Sequence, residues 1–160
     1  MASGNSMFFA AALANSPPTT SAATFNVRNN TPVYEFDNSN VQTALFQGLM
    51  PRNYTGGGIT VLIEWAAKTD TSNTTTWAVA FERHQDGTDT IAADSFAAEQ
   101  STTSTAPGTS GVVKYTTISF TDGAQMDNVA AGEFFRLKVR RTGGSMAGLS
   151  QLIALEGKET

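Results

Sequence analysis

The chain has no cysteine, which excludes disulfide staples and thiolate metal sites and leaves stability to packing or association. Its single histidine, His84, stands just after an alternating segment with no serine or cysteine beside it in a nucleophile motif. A hydrolytic triad is therefore not expected. Charge is scarce, at 15% of residues against the usual quarter, and Thr, Ser, Ala and Gly take its place. The net charge of -4 argues against nucleic acid, since phosphate binding needs a positive surface. Long apolar runs are missing too. The stretch from Met7 to Ala14 is too short to span a bilayer and has no basic residue before it, so neither a membrane partner nor a secretory signal is expected.

One absence is local. From Met1 to Val27 there is no charged side chain, yet the segment carries Met7, Phe8, Phe9, Leu13 and Phe25. Ordinary disordered tails are charged and poor in aromatics. Pro17 and Pro18 impose an extended course and exclude one long helix. Residues 1–25 are therefore expected to form an extended N-terminal arm and residues 26–160 a single β-sandwich domain. The arm is expected to bury Met7, Phe8, Phe9, Leu13, Pro17 and Pro18 on other protein chains, the alternative being a strand folded back on its own domain.

What remains is rich in period-two patterns. In Ile59–Ala67 the odd positions are apolar and the even ones mixed, and Trp77–Arg83 repeats this. Each is the signature of a strand with one face in a core. The polar stretch Lys68–Thr76 between them reads as a surface turn, making the two strands neighbours. Further strands are expected at Val33–Asp37, Thr43–Leu49, Val112–Phe120, Phe134–Arg141 and Leu149–Leu155, with a weaker one at Ser95–Gln100. Ser101–Gly111 reads as a loop, Ala124–Asn128 as a helical turn and Glu156–Thr160 as a loose tail. About eight strands with regular turn signals predict an all-β antiparallel jelly roll or β-sandwich, with Trp65, Trp77, Phe81, Leu137 and Val139 in its core.

No catalytic site emerges. Glu64 and Glu82, placed on neighbouring strands, have the residue type of a glycosidase pair, but both fall on polar positions that a solvated or interface face explains. Asp86, Asp89 and Asp94 match no calcium-loop spacing. Gly56-Gly57-Gly58 enters a strand without the Lys-Ser/Thr and helix of a phosphate loop. Arg136, Lys138 and Arg140 share one strand face and read as a solvated or subunit-contacting surface. Trp65 and Trp77 belong to apolar faces, which leaves Tyr54 as the exposed aromatic best placed to meet a ligand. No enzymatic activity, cofactor or metal is expected.

Several stretches resemble the jelly-roll capsid cement, or decoration, proteins of tailed bacteriophages. They are Phe9–Pro18 in the uncharged arm, Met50–Tyr54 leading through glycines into Ile59–Trp65, Trp77–Arg83, Ser95–Gln100 and Ala131–Arg141. The resemblance implies a non-enzymatic virion structural protein on the outer capsid surface. It further implies a homotrimer that binds the major capsid protein and neighbouring cement subunits through its arms. A related alternative is a tail or fibre module that binds cell-surface carbohydrate through loops such as Met50–Gly57 and Ser101–Gly111.

Overall fold

The computed structural model describes residues 5–160. In chain order the strands are β1 (Ser6–Ala11), β2 (Thr24–Arg28), β3 (Thr31–Phe36), β4 (Thr43–Leu49), β5 (Ile59–Ala67), β6 (Thr74–His84), β7 (Gln100–Thr105), β8 (Val113–Phe120), β9 (Phe134–Gly143) and β10 (Ser150–Glu159). They build two antiparallel sheets. A six-stranded sheet runs β2-β3-β10-β5-β8, with β1 also paired to β10, and a four-stranded sheet runs β4-β9-β6-β7. The all-β sandwich expected from alternation is thus present.

Between the sheets lies the core. Trp65, Trp77, Phe81 and Val139 are fully buried and Leu137 is 1% exposed, as their apolar faces predict. Trp65 and Trp77 meet edge to face at 6.0 Å between ring centres, a geometry that suits the aromatic quadrupoles. They meet because β5 and β6 lie in opposite sheets. The expectation that these two strands are neighbours is corrected: the connection over residues 68–73 crosses the sandwich, with Asp70 accepting from Asn73 and Ser72. Two strands with one apolar face each bury both faces by stacking, which side-by-side pairing would not achieve.

Local chemistry sets the turns. Asn29 and Asn30 both have positive φ, 45° and 64°, and close the β2-β3 hairpin tightly; asparagine tolerates this region. Gly58 sits at φ +83°, where an added Cβ would collide with the Phe120 carbonyl. The glycine run therefore serves close backbone approach.

The N-terminal segment departs from expectation. Ser6–Ala11 pairs with β10 of its own chain, Met7 joins the core at 7% exposure, and Phe8 packs on Phe135 and Phe81. The segment then crosses to β4, where Ser16 N donates to the Leu45 carbonyl, Leu45 N to Asn15 Oδ1 and Ala23 N to the Thr43 carbonyl. Residues 5–25 are thus part of the sandwich, and residue 25 lies inside β2. Two unpaired edges, those of β10 and β4, explain why: backbone groups left open there are satisfied by the nearest uncharged extended segment. Of the residues assigned to partner contact, Phe9, Leu13 and Pro17 are exposed and Pro18 is half-buried. Residues 1–4 of the expected arm lie outside the described residues.

Three further expectations are corrected. Ser95–Gln100 is not a strand; the strand is β7, in the stretch read as a loop, because alternate threonines pair with β6 through contacts such as Thr76–Thr103 at 2.8 Å. The C-terminal tail is not loose, since β10 runs to Glu159, whose buried carboxylate accepts from Thr55 N, Thr55 Oγ1 and Gly57 N. Tyr54 is buried, not exposed, and its hydroxyl donates to Asp122 at 2.7 Å. Burial, with the Asp122 carboxylate beside it, pushes the Tyr54 phenol well above its ordinary pKa.

Candidate functional site

The two sheets differ on their outer faces. On the four-stranded sheet the long β6-β7 connection folds back over the strands. Phe96 lies over Arg136 and Lys138, and each cation is matched: Arg136 to Glu82 and Asp94, Lys138 and Arg140 to Glu99. The basic stripe read in the sequence is therefore a neutralised surface. Glu82, 1% exposed, accepts from Arg136 Nε and from Ser95 N, each at 2.6 Å. Arg141 does not share this face. It is 2% exposed and donates to the carbonyls of Gly148, Phe36 and Met146 and to Asn38 Oδ1. Burial lowers its pKa from the usual arginine value, and the charges of Asp37 and Asp70 offset this only in part.

Among the described residues no connection covers the outer face of the six-stranded sheet, where strand register sets side chains in rows. One row reads Tyr115, Glu64, Ala154, Ala11 across β8, β5, β10 and β1; the next reads Thr117, Leu62, Glu156, Phe9. A third runs from Val113 through Ala66 and Gln151 to Glu35. Small Ala154 and Ala66 between larger neighbours leave two hollows. One, of about 260 Å³, is lined by Phe9, Leu62, Glu64, Tyr115 and Glu156. The other, of about 370 Å³, is lined by Arg28, Val33, Glu64, Val113, Gln151 and Ile153. Ile153 is the extra residue of a β-bulge in β10, a device that re-aims side chains. Both hollows border Glu64, so they are adjacent and together make a groove across the sheet.

Tyr115 and Phe9, 60% and 71% exposed, stand at one end of the groove. Glu64, at its middle, has no hydrogen bond or ion pair among the described residues. At the other end a polar chain is fixed: Lys68 pairs with Glu35, Gln151 Nε2 donates to Glu35 at 2.8 Å, and Arg28 donates to Gln151 Oε1 at 2.7 Å. Burial pushes the Glu35 pKa up, but the hydrogen bonds from Lys68, Gln151 and Asn26 outweigh it and hold the carboxyl below its ordinary value.

The expected sites fall out differently. Glu64 and Glu82 stand on opposite outer faces, separated by more than the ~10 Å between packed sheets, beyond the reach of a glycosidase pair. Asp89 pairs with Arg83 and Asp94 with Arg136, and the described residues hold no His, Cys, Asp and Glu group able to bind a metal. The loops expected to hold sugar do not form the groove, apart from Gly111 at its border. Tyr115 and Arg28 escaped the sequence reading. The available signal was an aromatic at the polar phase of the β8 alternation.

These features define a class: a β-sandwich with one sheet face left open as a grooved, part-aromatic surface. A solved structure described as the xylan-binding module CBM15 matches 95% of this chain and 90% of its own, with a TM-score of 0.51 and 8% sequence identity. That likeness is one of fold. No family model and no curated protein matches the chain, so the similarity to bacteriophage cement proteins rests on the sequence stretches alone.

Proposed function

We propose that the protein is a non-catalytic carbohydrate-binding module whose site is the open groove on the six-stranded sheet. The observation that carries this reading is the row of Tyr115, Glu64 and Ala154. An exposed aromatic ring offers a flat apolar face for a pyranose, and beside it an unpaired carboxylate accepts hydroxyl hydrogen bonds over a floor lowered by alanine. Rigid strands hold these groups in place, as a preorganised site requires. The fold shared with a xylan-binding module adds support and makes xylo-oligosaccharides the first probe.

Titration calorimetry of the whole chain with xylohexaose tests this. Tyr115→Ala is expected to weaken binding by roughly 2- to 12-fold, in line with ~0.5–1.5 kcal/mol for an aromatic contact, without a shift in thermal midpoint. Absence of binding to neutral xylo-, cello- and manno-oligosaccharides and to carboxylated glycans alike would reject the proposal.

A second reading has one observation behind it: Phe9 and Leu13, 71% and 70% exposed, stand out of an uncharged segment as they would for contact with a neighbouring protein. On this reading the module is a virion component, a trimeric decoration of the capsid or a part of a tail or fibre. Sedimentation of the free protein and addition to undecorated shells test it; a monomer that leaves shells bare rejects it.

A further inference from the structure

The hollow at the Arg28 end of the groove has a chemistry of its own. Arg28 is held by three neutral acceptors: Nη1 donates to the Ala67 carbonyl and to Gln151 Oε1, and Nη2 to Ser110 Oγ. No carboxylate reaches it among the described residues. The nearby Glu35 is committed to Lys68, Asn26 and the amide of Gln151, and that commitment turns the Gln151 oxygen toward Arg28. Two of the five guanidinium N–H groups, Nε–H and one on Nη2, therefore have no acceptor among the described residues. They lie on the nitrogens whose shared edge takes a carboxylate in a fork.

The backbone makes room for this arrangement. Gly111, at φ +79°, lies so close to the guanidinium that a Cβ there would press on Nη2 and Cζ. Gly111 N in turn donates to the Ala67 carbonyl that Arg28 also uses. Strands β2, β5 and β10 and the loop before β8 thus converge to fix one cation in the wall of a hollow of about 370 Å³. Around it Lys68 and Glu35 neutralise each other. Among the described residues Arg28 and Glu64 have no counter-ion, and they stand at separate points of the same groove.

Resting on the carbohydrate-binding reading above, we infer that the Arg28 hollow seats a carboxylated pyranose, a uronic or nonulosonic acid unit, while neutral sugar of the same chain lies over Tyr115 and Glu64. An acid unit at Glu64 would be repelled by its unpaired carboxylate, so the pattern of acidic and neutral units fixes how the chain lies.

The test titrates the whole chain with three acids: a xylo-oligosaccharide bearing a glucuronate branch, hexagalacturonate and sialyllactose. Each is compared with its carboxyl-reduced counterpart. At least one acid is expected to bind roughly 10- to 100-fold tighter than its reduced form, the range for a charge-assisted hydrogen-bond pair, and which one does so identifies the source of the carboxylate. Arg28→Gln should remove that preference, the acid losing roughly tenfold or more relative to its reduced form, whereas Arg28→Lys should keep part of it. Equal binding of every acid and its reduced form overturns the inference, as does an Arg28→Gln loss shared equally by both forms. Either result, with neutral chains still bound through Tyr115, leaves the general carbohydrate reading standing. Failure of every probe to bind overturns both.

Discussion

Gly157 offers the sharpest test of how the N-terminal segment is seated. In β10 it lies opposite Phe8 of β1, and a Cβ built on it would overlap the Phe8 ring itself. That ring has little freedom to yield, since Phe135 lies 5.1 Å and Phe81 6.4 Å from it, centre to centre. Gly157→Ala therefore forces one of two responses. The ring shifts within a packed cluster, at the ~1–3 kcal/mol typical of overpacking. Alternatively β1 leaves the sheet and gives up the burial of Met7, worth ~1.5–3 kcal/mol, along with about half as much from Phe8. The cheaper route sets the loss at about 2 kcal/mol, or roughly 4–8 °C in thermal midpoint for a chain of this size. Hydrogen exchange should rise over Ser6–Ala11, which a purely local shift in β10 would not produce. The double mutant decides the cause: with Phe8→Ala already present the clash is gone, and adding Gly157→Ala should cost almost nothing, a coupling of ~1–3 kcal/mol. Additive losses, or a Gly157→Ala protein as stable as the wild type, would show that β1 does not occupy this place.

Other expectations follow from the same contacts. Arg141→Met should lower stability by about 4 kcal/mol in urea titration, because the three buried carbonyls and the Asn38 amide that it serves lose donors worth ~1 kcal/mol each; an unchanged midpoint would mean that water replaces the guanidinium. Glu35 predicts acid sensitivity. Its pKa is lowered in the folded protein from its ordinary value of 4.5, so its stabilisation is complete above that value and is lost as pH falls through the lower folded one. Urea midpoints taken down through this range should decline for the wild type and flatten in Glu35→Gln, and equal declines would place the sensitivity elsewhere.

How much of this was legible beforehand depended on whether the information was local. Period-two alternation alone determined the strands that became β3, β5, β6, β8 and β9, and the burial of Trp65, Trp77, Phe81, Leu137 and Val139, because a strand exposes its two faces in strict turn. Asn29-Asn30 and Gly58 hold tight backbone for equally local reasons. Partnership was not local. Whether β5 and β6 lie side by side or face to face depends on where a polar connection crosses, and both answers bury the same residues. The uncharged N-terminus carried a need for burial that its own chain and a neighbour's would satisfy equally well, and only the open edges of β10 and β4 decided for its own. The groove was the least visible of all. Glu64 and Tyr115 are far apart in sequence and become neighbours through the β5-β8 register, while Arg28 joins their face because Gly111 leaves it space. Alternation states that such residues face outward; only the pairing of strands states what they face outward beside.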